Sequence, residues 1–361
     1  MDKERRAALI DLLNTPSPTG FETRGQEKWA GLVRETADRV ECDAYGNAWA
    51  TIDGPKSNDT VVAIEAHADE IGYMVKHVTD DGFLHIDRIG GSDWATARGR
   101  KLRILGDKGE VLGIIGNTAI HIRERPSSGE KVPEMHQLFV DVGATKPEEV
   151  AEMGIRVGHP ATYTDGAEFF GKDRLVGRAL DNRLGGFITS EVMRRVAQDR
   201  AALRSTVVAM NCVQEEIGGF GAKMLSQSLK PDVCLVLDVT HATDTPGIKV
   251  VQHGSVTFGG GPSLTHGTAN HPTMVQRLIE LAESNHITIQ HEASSRFTGT
   301  DTDSIYHQNG GIPSALVSLP LRYMHSVVEV AHLDDIEKTI QLMTAFVKSV
   351  ESADEFRVLN W

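Results

Sequence analysis

Residues 206–213 (Thr-Val-Val-Ala-Met-Asn-Cys-Val) form an apolar, β-branched run that stops in Gln214-Glu215-Glu216-Ile217-Gly218-Gly219-Phe220-Gly221. A run of that length closed by glycines predicts a buried strand. Its two adjacent carboxylates then stand at the strand's C-terminal end, where open α/β sheets place their ligands. A buried carboxylate without a balancing charge is very costly, so this stretch demands either a cation from elsewhere in the chain or a metal ion. The remaining residues favour the metal.

Length and charge narrow the field. At 361 residues the chain is long enough for two domains. A formal charge of −13 argues against a nucleic-acid partner, which calls for a basic patch. There is no apolar run long enough for a membrane span, and the charged start Met1-Asp2-Lys3-Glu4-Arg5-Arg6 does not read as a secretory signal. The three cysteines, Cys42, Cys212 and Cys234, lie far apart without CxxC spacing, and the latter two fall in apolar runs, as buried reduced thiols do. These features predict a cytoplasmic enzyme.

Along the chain, residues 4–13 read as a helix stopped by Pro16 and Pro18, and 22–38 as a second helix opened by capping-box spacing from Thr19 to Glu22. Residues 40–52 read as a hairpin turning at Tyr45-Gly46-Asn47, and 60–66 as a core strand ending in His67-Ala68-Asp69-Glu70. From 71 to 165 the texture changes to short alternating segments with glycine turns, the pattern of a small all-β barrel or sandwich. Within it, residues 121–133 read as a polar loop. After 166 helices and strands alternate again: helices at 185–198, 222–228, 272–283 and 333–350, strands at 233–237, 287–291 and 314–319. The predicted fold is therefore α/β, with a central, mostly parallel mixed sheet flanked by helices, formed by 1–70 and 166–361 and interrupted by an inserted β domain at 71–165.

Four of these strands run into a metal-capable group: His67, Glu215-Glu216, Asp238 and His325; a fifth group, Asp181, precedes a helix. Any one alone reads as a core histidine, a cap or a turn residue. Together they fall at one end of one kind of element, the expected place of an α/β active site. Asp69, two residues beyond His67, can accept a hydrogen bond from the imidazole's second nitrogen and fix its tautomer. Glu215 and Glu216 point in different directions, so one can ligate while the other exchanges a proton with water, a division suited to hydrolysis. Imidazole and carboxylate donors without thiolate suit Zn²⁺, Co²⁺ or Mn²⁺, and five ligands exceed one catalytic ion, so two ions sharing a bridging carboxylate fit better.

At Ala66-His67-Ala68-Asp69-Glu70-Ile71-Gly72, Ala179-Leu180-Asp181-Asn182-Arg183, Gln214-Glu215-Glu216, Leu237-Asp238-Val239-Thr240, Gly299-Thr300-Asp301 and Tyr323-Met324-His325-Ser326 the chain resembles the M42 metallo-aminopeptidases, some of which carry an endoglucanase label. The resemblance implies a zinc-exopeptidase-like fold in which Asp181 bridges two ions. It assigns His67 and Asp238 to one ion, Glu216 and His325 to the other, Glu215 as general base and Asp69 as orienter of His67. It also implies that the inserted domain dimerises and that dimers build a tetrahedral dodecamer acting on short peptides. Asn182 stands where many relatives carry a second Asp. Two other readings compete: a glycosidase, for which paired carboxylates are needed but histidine ligands are not, and a scaffold in which the ions merely hold the fold.

Overall fold

A computed structural model describes residues 1–123 and 131–359, so part of the loop expected at 121–133 lies outside the described residues. Contacts divide the chain into two units: Met1–Glu70 with Ala167–Met324 and the chain from Val328 on, and Ile71–Gly166 with His325–Val327.

The first unit is built on a mixed sheet. Its strands run, in spatial order, Arg39–Cys42, Ala48–Ile52, Thr206–Cys212, Val61–His67, Val233–His241, Ser314–Arg322, Glu329–His332, Arg174–Gly177 and Glu168–Phe170. The four central strands are all parallel, with His67 opposite Cys212 and Asp238 opposite Ser318. Parallel strands are covered on both faces, which explains why these read as near-continuous apolar runs. One face carries Val62, Ile64, Val207, Ala209, Leu235 and Val317 against the helices Lys3–Asn14, Leu180–Gln198 and Leu333–Ser349. The opposite face carries Ala63, Val208, Met210, Cys212, Cys234, Val236 and Leu316 under Ala222, Leu225 and Ile305.

The second unit is a closed six-stranded barrel, Gly72–Val78, Leu84–Ile89, Phe139–Asp141, Gly109–Ile115, Lys101–Gly106 and Pro160–Tyr163. Its interior is filled by residues such as Tyr73, Val75, Leu84, Ile86, Leu102 and Val140. The hydroxyls of Tyr73 and Tyr163 lie 2.6 Å apart, so each buried phenol has its partner.

The α/β architecture with a separate small β barrel is thus the one expected from the sequence, but several elements differ. The second helix spans only Thr23–Val33, because Thr36 turns back to Val33 and Asp38 already donates to the Thr51 carbonyl at the head of the hairpin. The capping box does not form: the Thr19 hydroxyl is drawn to Asp69 instead. Asp238 lies inside its strand, since the neighbouring strand offers partners as far as His241 opposite Leu321. The strand expected at 287–291 falls at Gln290–Ala293, in register with Ser263–His266. Three other short strands, Glu168–Phe170, Arg174–Gly177 and Glu329–His332, extend the sheet from loops whose sequence has no strand pattern.

Candidate metal centre and catalytic site

His67 ends its strand buried, and four carboxyl groups gather around it. Its Nε2 lies 3.2 Å from Asp181 Oδ1 and 3.8 Å from both Asp238 Oδ1 and Glu215 Oε2. On the other side of the ring, Nδ1 is 3.2 Å from the Asp69 main-chain oxygen and 3.4 Å from its carboxylate. A ring nitrogen that donates to these oxygens leaves Nε2 as the lone-pair nitrogen, the state a metal ligand needs.

Asp69 has a second task that the sequence reading did not foresee. Fully buried, it accepts the Thr19 hydroxyl at 2.9 Å and the main-chain N–H groups of Glu215 and Glu216 at 3.0 and 3.2 Å. One carboxylate therefore holds both the histidine strand and the turn that presents the two glutamates. Glu22 reinforces the same turn by accepting from Gln214 N at 3.2 Å, where Gln214 takes a left-handed φ of 61°. Asn47, read only as a turn residue, accepts from Val213 N at 2.9 Å. The glycines pack closely here: a Cβ on Gly221 would come within 2.2 Å of the Val213 oxygen, and one on Gly219 within 2.2 Å of Ser304 Oγ.

Asp181 stands at the start of the helix Leu180–Gln198, where it and Asn182 have non-helical backbone angles and the peptide between them is cis. Asn182 fixes this entry by donating to the Leu237 carbonyl at 2.8 Å and accepting from Gly185 N at 3.1 Å. His325 lies in the segment that belongs with the barrel unit. There its Nδ1 is 3.2 Å from the Gly91 carbonyl oxygen, and a Cβ on Gly91 would sit 2.5 Å from that nitrogen, so only glycine leaves the imidazole its place.

Electrostatics follow from this crowding. Burial pushes the Glu215 carboxyl up to about 8, with Asp301, Asp69 and Asp181 adding to the rise and His67 opposing it. Burial, then Asp181, holds Glu216 well above the usual carboxylate range; burial does the same to Asp238, against the attraction of His67. Burial disfavours the charged imidazole of His67, yet the hydrogen-bonding carboxylates of Asp181 and Asp69 outweigh it and hold its pKa well above the ordinary value. So many carboxyl groups in a dry site cannot all be charged without a cation. His67, Asp181 and Asp238 each offer a ligand atom, all within 4.8 Å of one another. The donors are imidazole and carboxylate, the set that suits a borderline divalent ion.

The model of the family described as M42 glutamyl aminopeptidase matches residues 46–342. The chain belongs to the M42 peptidase family. Lysyl aminopeptidase of Pyrococcus furiosus is 32% identical to it over 95% of this chain and 96% of its own length. The TET1 peptidase of Pyrococcus horikoshii, which can assemble into a tetrahedron or a large octahedral shell, superposes with a TM-score of 0.84 at 27% identity, covering 96% of this chain and all (100%) of that one. An endoglucanase of Thermotoga maritima has the same fold, with a TM-score of 0.74 at 23% identity over 94% and 96% of the two chains. This M42 member is an aminopeptidase, a hydrolase of peptide bonds, and M42 peptidases are metal-dependent. No helix among its described residues is long and apolar enough to cross a membrane.

Proposed function

We propose that this chain is a dinuclear metal-dependent aminopeptidase that removes N-terminal residues from short peptides. The observation that carries the reading is the convergence of buried Asp181 and Asp238 and half-buried Glu215 on His67 Nε2, at 3.2, 3.8 and 3.8 Å. His67, Asp181 and Asp238 would hold one ion, and Asp181, Glu216 and His325 the other, with Zn²⁺ or Co²⁺ as first candidates and Mn²⁺ next. When bound, such ions supply Lewis acidity toward a peptide carbonyl and make water a better acid.

The chain's own groups do the rest. Glu215 takes the proton of the attacking water and returns it to the leaving amine; its dry setting favours proton uptake over permanent charge. Asp69 orients His67 and, through the Glu215 and Glu216 N–H groups, keeps the base aligned with the ligands. The acidic site attracts the protonated amino terminus of a peptide. The barrel serves homo-oligomerisation, first to a dimer and then to a tetrahedral dodecamer. Two observations support this: Leu112 and Ile114 are 54% and 46% exposed on one barrel strand, and the TET1 peptidase assembles into closed shells. Free, unpaired Cys212 and Cys234 suit a reducing, cytoplasmic setting.

The test is an assay of the purified protein on aminoacyl-p-nitroanilides, before and after chelation, with Zn²⁺, Co²⁺ or Mn²⁺ restored. Release that chelation abolishes and metal recovers supports the reading. Release of reducing sugar from an oligosaccharide, with none from any anilide, would overturn it.

A further inference from the structure

Beside the site just described lies a second cluster that the peptidase mechanism does not use. Glu65, two residues before His67 and on the same face of the strand, points into the apolar layer beneath Ala222, Leu225 and Ile305. Cys212 ends the neighbouring strand, and Asp301 reaches in from the start of the turn Thr302–Ile305. The three residues are 0–1% exposed, and each offers a ligand atom within 4.8 Å of the others.

An acidic pair buried in hydrocarbon is by itself no site. The second observation is that, among the described residues, no hydrogen-bond donor from outside the cluster reaches any of the four buried oxygens of Glu65 and Asp301; only a proton on the cluster's own carboxyl or thiol groups can serve them. Buried polar atoms are nearly always satisfied, and two carboxylates forced together in an apolar layer carry a penalty that packing does not offset. Sharing one proton between them would satisfy one oxygen of each, and the weak Cys212 S–H donor can serve Glu65 once more, which still leaves an Asp301 oxygen bare. A bound cation would satisfy both groups at once and give the Cys212 sulfur a role as well.

We infer that Glu65, Cys212 and Asp301 form an additional, structural cation site for a borderline divalent ion such as Zn²⁺ or Co²⁺. The thiolate selects against Mg²⁺ and Ca²⁺, which take oxygen ligands. On binding, Cys212 releases its proton to solvent and the S–metal bond forms; no oxidant or reductant is required. The ion would tie together three pieces of backbone: the strand that carries His67, the strand that leads to Glu215, and the turn against which Gly219 packs, where a Cβ would sit 2.9 Å from Asp301 Oδ1. It touches no reacting atom, so its role is positioning and stability.

The thiolate provides a readout that peptidase activity cannot mimic. The chelated full-length protein is titrated anaerobically with Co²⁺, and the near-ultraviolet sulfur-to-cobalt charge-transfer band is followed beside the bound-metal count. The ligands proposed for the catalytic ions contain no sulfur, so they are silent in that band. We expect the band to saturate at one Co²⁺ per chain. Cys212→Ser should abolish it and lower the metal count by one, Glu65→Gln should weaken Co²⁺ binding at least tenfold in the same band, and Cys42→Ser at the exposed thiol should change neither. Absence of the band from the wild-type protein at saturating Co²⁺, or its survival in Cys212→Ser, overturns the inference whether or not the peptidase assay succeeds. The wild-type spectrum decides even if the variants fail to fold.

Discussion

The Asp69 carboxylate accepts the main-chain N–H of Glu215 at 3.0 Å, across two strands that are adjacent in the sheet but separated in sequence by the whole barrel. A residue whose motif reads as a histidine orienter is thus also the clamp on Glu215, the residue proposed as general base. Removing its charge should act on both. Asp69→Asn keeps the shape but turns one oxygen into a donor facing N–H groups. We expect metal affinity to fall by about 10–100-fold, and the unfolding free energy by about 1–3 kcal/mol. Isothermal titration with Zn²⁺ and urea unfolding measure the two; an unchanged metal affinity would refute the orienting role.

Glu215 is assigned to proton transfer and not to metal binding. Glu215→Gln should therefore lower kcat by at least about 10²–10⁴-fold while the protein retains its full metal content. Loss of metal along with activity would instead make Glu215 a ligand. Full activity with full metal content would refute the general-base role of Glu215.

The metal-free protein should weaken as pH rises. Folding raises the carboxyls of Glu22 and Glu65 to about 7 and that of Glu215 to about 8, each from an ordinary value of 4.5. Between those limits the folded chain holds protons that the unfolded chain has released, so stability decreases with pH across that window. His67, whose pKa is also raised, acts in the same sense above its ordinary value of 6.5. Calorimetry of the chelated protein should show Tm falling from about pH 5 to about pH 8. Saturating Zn²⁺ should reverse the trend, because deprotonated ligands bind it better. A metal-free Tm that is flat or rises over this range would contradict the assignment.

The barrel closes on itself, so association through it must use side chains and not open strand edges. Leu112→Lys together with Ile114→Lys places charge on the exposed apolar strand face without entering the barrel interior. Light scattering should then report a shift toward smaller species at unchanged secondary structure. Assemblies of wild-type size would assign the contact to another surface.

The central strands and their acids were legible in the sequence because burial on both faces leaves an unbroken apolar run, and because a carboxylate at its end has few bland explanations. His67, Glu215 and Asp238 were singled out that way. Thr19, Glu22 and Asn47 were not. Their local signals, a capping box and a turn, are real propensities, but a buried carboxylate and bare N–H groups from residues far along the chain offered stronger partners. Glu65 was passed over inside its strand because one acid in an apolar run looks like noise until Asp301 and Cys212 are seen beside it. The shortest strands escaped for a different reason: pairing with a neighbour, not side-chain pattern, defines them.

The interruption of the sheet by the barrel has a consequence for biosynthesis. All six barrel strands lie in one continuous stretch between Gly72 and Tyr163, whereas Val61–His67 must wait for Thr206–Cys212 and Val233–His241 to leave the ribosome. Local contacts form first and distant ones late. Pulse-labelled hydrogen exchange during refolding should accordingly protect barrel amides such as those of Leu102 and Ile104 before those of Ile64 and Leu235. A nascent chain halted midway would carry all six barrel strands and a His67 still without Glu215 and Asp238, and the candidate metal pocket would be among the last things the polypeptide makes.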